Sequence, residues 1–116
     1  MIIFKWKKKD FCYKYKFTKE GKYTIKIIFK NSLINTNCMF YECNKLLSID
    51  LSNLNTNNVT NMSRMFYKCS SLISLNLSNF NTNNVIYMEC MFLGVNRKKC
   101  KLIYNDARIL SEFDNK

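Results

Sequence analysis

A chain of 116 residues with 47% apolar content is one domain's worth of polypeptide and too apolar to be intrinsically disordered. With no histidine and only two glycines, it lacks the commonest general acid–base and has no glycine-rich phosphate loop. The net charge of +11 sits at the ends: residues 1–30 hold ten lysines against Asp10 and Glu20, residues 31–96 balance to zero, and residues 97–116 hold six basic residues against three acidic ones.

Residues 1–10 read as a basic N-terminal segment. The run Met1-Ile2-Ile3-Phe4 is too short for the apolar core of a signal peptide, and Lys5 to Lys9 follow it instead of preceding it. No apolar run approaches the roughly 20 residues of a transmembrane helix, so neither export signal nor anchor is expected. From Phe11 to Phe17 the apolar residues Phe11, Tyr13, Tyr15 and Phe17 alternate with Cys12, Lys14 and Lys16. From Tyr23 to Phe29 the residues Tyr23, Ile25, Ile27 and Phe29 alternate again. This period of two predicts an antiparallel β-hairpin over residues 11–30, with one aromatic and one cationic face, that caps the repeats following it.

Residues 38–63 and 64–89 align without a gap at a period of 26, and 15 of the 26 pairs are identical, among them Phe40/Phe66, Cys43/Cys69, Leu51/Leu77 and Asn55/Asn81. Partial copies flank them, so the repeat region runs from 31 to 96. A period of this size signals a solenoid, whose units bury their apolar faces only by stacking on one another. Leu72 to Phe80 fits the pattern L-x-x-L-x-L-x-x-L, as does Leu46 to Leu54. Alternating Leu75 and Leu77 predict a short strand with Ser74, Asn76 and Ser78 facing outward. Asn55-Thr56-Asn57-Asn58 reads as a polar turn rich in capping residues. Val59, Met62, Met65, Phe66 and Cys69 then recur at three or four residues, which predicts a helix of about ten residues. The fold class is therefore α/β: a leucine-rich-repeat-like solenoid of short parallel strands and short helices, capped by an N-terminal antiparallel hairpin. Residues 97–116 read as a C-terminal cap, with a last strand through Cys100, Leu102 and Tyr104, about one residue off the repeat period, and a short helix over Ala107 to Phe113.

Stretches such as Met65-Phe66-Tyr67-Lys68-Cys69 and Leu77-Ser78-Asn79-Phe80-Asn81-Thr82 closely resemble the BspA-type leucine-rich repeat surface proteins. So does the segment Lys22 to Phe29 before the first repeat. The resemblance covers about residues 11–105. It implies a solenoid of cell-surface or secreted proteins of bacteria and protists, linked with adhesion and protein binding. The chain departs from the usual pattern in having few repeats and no visible signal or anchor.

Six cysteines form no C-x-x-C pair and have no histidine to join, so no metal or cofactor is expected. Cys43 and Cys69 share one repeat position and Cys38 and Cys90 another, which suits small buried packers. Disulfides remain open, with Cys12 and Cys100 the freer candidates. The eight carboxylates are scattered, and no enzyme is expected. The expected partner-binding face is the outward strand row of Ser48, Asp50, Ser52, Ser74, Asn76 and Ser78, because stacking lines such positions into one surface. An alternative is a nucleic acid or anionic surface bound by Lys7, Lys8, Lys9, Lys14 and Lys16, and another is a family fragment with no activity of its own.

Overall fold

Alternation at the N-terminus gives strands. The computed structural model describes residues 2–8, 11–17 and 33–115. Strand β1 (Ile2–Lys8) pairs antiparallel with β2 (Phe11–Phe17), from Ile2↔Phe17 to Lys8↔Phe11. The alternating segment 11–17 is a strand, as expected. Its partner, however, is the segment before it, because Ile2, Phe4 and Trp6 alternate with Ile3, Lys5 and Lys7 at the same period of two. The strand expected over Tyr23–Phe29 lies outside the described residues, so of the hairpin drawn over 11–30 only the strand 11–17 is described, and its described partner is β1.

The α/β body of the chain contains a three-stranded parallel sheet, ordered β3 (Ser48–Asp50), β4 (Ser74–Leu77), β5 (Lys101–Tyr104), followed by one helix, α1 (Ala107–Asp114). Register between β3 and β4 follows the repeat, Ser48↔Ser74. Between β4 and β5 it gains one residue, Ser74↔Lys101, the offset expected from the sequence. Leu75 and Leu77 are fully buried, so strand alternation assigns the inward side correctly.

The stretch from Thr56 to Cys69 is not helical, and here the expectation of a ten-residue helix is corrected. The N–H groups of Thr36, Cys38, Phe40 and Glu42 donate to the carbonyls of Asn61, Ser63, Met65 and Tyr67 at 2.7–3.1 Å. One repeat later, Met62, Arg64, Phe66 and Lys68 donate to Tyr87, Glu89, Met91 and Leu93 over the same range. Between these donors, Met39, Tyr41 and Cys43 bond three residues back, to Thr36, Cys38 and Phe40, at 3.1 Å. A helix needs every N–H for its own preceding turn. Here alternate N–H groups bond the next copy, so the chain becomes a run of tight turns. The apolar spacing was legible and the element was not, since Val59, Met62, Met65, Phe66 and Cys69 are all fully buried.

Those turns require left-handed backbone at fixed repeat positions. Cys38, Arg64 and Cys90 have φ of 58°, 54° and 58°, and Glu42, Lys68 and Gly94 have 58°, 56° and 90°. Each is third in a four-residue turn, the place where a type II turn demands positive φ. Only the last copy supplies glycine. A Cβ on Gly94 would meet the Lys68 Cα at 2.9 Å, so Gly94→Ala is expected to lose about 1–3 kcal/mol in urea denaturation. Exposed Arg64 carries the ordinary cost of a side chain in this region, and Arg64→Gly is expected to gain about 0.5–1 kcal/mol. An unchanged midpoint for both variants would contradict the turn geometry.

The core runs through the repeats as columns of like residues. Phe40, Phe66 and Phe92 stack with centroids 5.6 Å apart and rings within 6° of parallel, and the Phe113 ring of α1 closes the column edge-on at 5.2 Å from Phe92. On the surface, Tyr41 and Tyr67 stack at 4.8 Å. Beside them is an exposed Lys68–Glu42 pair at 3.8 Å, a contact of a kind that contributes little.

Candidate functional site

The side chains that end the strands also turn the chain. Asp50 Oδ1 accepts the Ser52 N–H at 2.9 Å and Asn76 Oδ1 accepts the Ser78 N–H at 3.1 Å. These Asx turns stop β3 and β4 after three or four residues. Hydrogen bonds from the Ser52 hydroxyl and N–H hold the Asp50 carboxyl below its ordinary range.

Of the six strand-face candidates, the parallel register brings together Ser48 with Ser74 and Asp50 with Asn76. Ser48 and Asp50 are exposed, while Ser74 and Asn76 are half-buried. Ser52 and Ser78 lie beyond the strand ends, half-buried and with their N–H groups used in the turns. Two residues that the sequence reading missed complete the rows: Lys101 beside Ser74 and Ile103 beside Asn76. Adding 26 to Ser74 and Asn76 points to Cys100 and Leu102, and the one-residue offset moves the rows on to their neighbours. Exposed Leu47 and Ile73, at 44% and 54% accessibility, border the face; Ile73 donates to the Leu47 carbonyl at 2.8 Å. The result is a small face with hydroxyls at its centre, Asp50 on the β3 side and Lys101 on the β5 side.

The cationic candidates are arranged by β1 and β2. Lys5 is opposite Lys14, Ile3 opposite Lys16, Lys7 opposite Cys12, and Lys8 opposite Phe11; Lys9 lies outside the described residues.

Cys43, Cys69 and Cys100 are buried, and Cys38 and Cys90 half-buried. Burial, with the neighbouring Cys43 adding to it, pushes the Cys69 thiol up to about 12, and burial raises Cys100 as well. The Cys69 thiol donates to the Phe40 carbonyl at 3.0 Å. A thiol so disfavoured as thiolate is a poor nucleophile and metal ligand. Among the described residues no group of three or more His, Cys, Asp or Glu side chains is arranged to hold a metal ion, and no helix is long and apolar enough to cross a membrane.

At the C-terminal end, Asp106 and Arg108 close the last full repeat. In the preceding copy the Thr56 hydroxyl donates to the Asn81 carbonyl at 3.1 Å and accepts the Asn81 N–H at 2.9 Å. Thr82, 1% exposed, has no following copy, and its hydroxyl and N–H donate instead to Asp106 Oδ2 at 2.7 and 2.8 Å. Asp106 Oδ1 meanwhile caps α1 by accepting the Arg108 N–H at 2.9 Å. Arg108 donates to the Thr82 and Val85 carbonyls at 2.8 and 3.1 Å.

Comparison with curated proteins and with solved structures gave no match. A family model matches residues 13–105, most of the chain and all of the repeat region. The chain therefore belongs to the family described as Mycoplasma protein of unknown function, DUF285.

Proposed function

We propose that this chain is a non-catalytic protein-interaction module, a leucine-rich-repeat-like solenoid that binds a partner protein through the exposed face of β3, β4 and β5. The observation that carries this reading is the parallel register, which sets Ser48, Ser74 and Lys101 in one row and Asp50, Asn76 and Ile103 in the next. Short hydroxyls flanked by exposed Leu47, Ile73 and Ile103 offer adaptable hydrogen bonds beside apolar contact area, the mixture found at interfaces of modest affinity. The likeness to BspA-type surface proteins supports adhesion as the biological setting.

The test replaces Ser74 with a photoreactive residue and irradiates the protein with extracts of its source cells. A crosslinked partner is expected from position 74, and it should be lost in Ser48→Arg, a change that touches no turn, while surviving high salt. Labelling that is equally strong from a position outside the face, such as Asn57, would sink the reading.

A second reading is favoured by the ten lysines of residues 1–30, with Lys5 and Lys14 at one register position of the β1–β2 pair: a polyanion is bound by this segment. That mode predicts binding to duplex nucleic acid that falls steeply with added salt.

A further inference from the structure

Strand β5 is the last in its sheet. Lys101 donates its N–H to the Ile73 carbonyl at 2.9 Å, which turns the backbone groups of Lys101 and Ile103 toward β4. Successive residues of a strand present their backbone groups to opposite edges. Leu102 and Tyr104 therefore face away from β4, where no strand among the described residues pairs with them. Side chains along this edge are incompletely covered. Ile103 and Tyr104 are each 39% exposed, and Leu102 is half-buried where Leu75, its neighbour in β4, is fully buried. Among the described residues Leu75 has a strand on both sides and Leu102 on one, so a further strand would complete the burial of Leu102.

The charge at this edge selects what can add to it. Lys98, Lys99 and Lys101 are exposed, and none is paired with a carboxylate among the described residues. Lysines on an edge strand ordinarily repel a second edge. A second copy of this chain, at +11, would bring its own lysines to the contact. A strand rich in Asp or Glu meets the opposite situation, because each of its carboxylates finds an unpaired ammonium. We propose that the open edge of β5 accepts an acidic extended peptide as a fourth strand, with main-chain bonds to Leu102 and Tyr104 and carboxylates beside Lys98, Lys99 and Lys101. This is the strand-addition mode of peptide recognition, and it uses an edge instead of the face discussed above.

The experiment titrates a ¹⁵N-labelled chain with a peptide in which valine and glutamate alternate. Saturable binding is expected, with the amide signals of Leu102 and Tyr104 shifting and gaining protection from hydrogen exchange. The same peptide N-methylated at alternate amides should bind at least about tenfold more weakly, since it loses main-chain bonds and keeps its charge. The double variant Lys99→Glu/Lys101→Glu should also lose about tenfold or more. Ser48→Arg, on the far strand of the face, should leave peptide binding unchanged, so failure of the face reading and failure of this one are distinguishable. Equal affinity for the N-methylated peptide, unmoved Leu102 and Tyr104 amides, or no saturable binding would each overturn strand addition.

Discussion

Phe66→Ala is expected to destabilise the fold by about 3–5 kcal/mol. Phe66 is fully buried and is the central ring of a column, stacked at 5.6 Å on Phe40 and on Phe92. Truncation removes the transfer free energy of the ring, leaves a cavity between two copies, and severs both aromatic contacts, which contribute about 0.5–1.5 kcal/mol each in such pairs. Collapse is hindered because the flanking backbone is fixed by the Phe40-to-Met65 and Phe66-to-Met91 bonds, both 2.9 Å. Against a total stability of about 5–15 kcal/mol for a domain of this kind, the loss should be plain in a urea titration. A midpoint within error of the parent chain would mean that the column is not the core.

Asp106→Ala should cost about 2–4 kcal/mol, more than an isolated helix cap contributes. Its carboxylate performs two tasks, capping α1 through the Arg108 N–H and receiving the buried hydroxyl and N–H of Thr82. Loss of the cap accounts for about 1 kcal/mol, and a buried hydroxyl and N–H left without their charged acceptor account for about 1–3 kcal/mol. The pH dependence carries the same information. Burial alone would raise the Asp106 pKa, but bonds from Thr82 and Arg108 and the Arg108 charge prevail and lower it from the ordinary 3.8. A carboxyl depressed in the folded state stabilises it above the unfolded value, and that contribution disappears as the pH falls below 3.8 and through the folded pKa. Asp106→Asn replaces one of the two accepting oxygens with an NH2 donor, which lowers the starting stability, and it removes the titration, so its stability should fall less steeply over that acid range. Parallel acid limbs for the two proteins would show that the carboxylate does not close the repeats.

The repeat, the inward residues, the last strand's offset and the closing helix are all visible in the sequence, because each rests on periodicity or on local capping chemistry. The element between strands is not. Residues Val59, Met62, Met65, Phe66 and Cys69 have helical spacing, yet a run of turns buries the same residues when alternate N–H groups bond the next copy. The signal that distinguishes the two is at Cys38, Arg64 and Cys90 and at Glu42, Lys68 and Gly94, where only the last position carries the glycine that announces positive φ. Asparagine was likewise readable only with geometry in hand. Abundant asparagine places side-chain oxygens at the corners of each copy, where Asn35, Asn55, Asn61, Asn76, Asn81 and Asn96 each accept an N–H two residues on. The same double duty narrows the candidate face, because Asp50 and Asn76 have turn bonds to keep.

Successive copies are joined through alternate backbone N–H groups instead of folding into helices. Through-hydrogen-bond NMR couplings distinguish the two arrangements, since they report which carbonyl each amide bonds. Couplings are expected from the Phe40 amide to the Met65 carbonyl and from the Phe66 amide to the Met91 carbonyl. A coupling from the Phe66 amide to the Met62 carbonyl, four residues back, would instead show a helix between the strands.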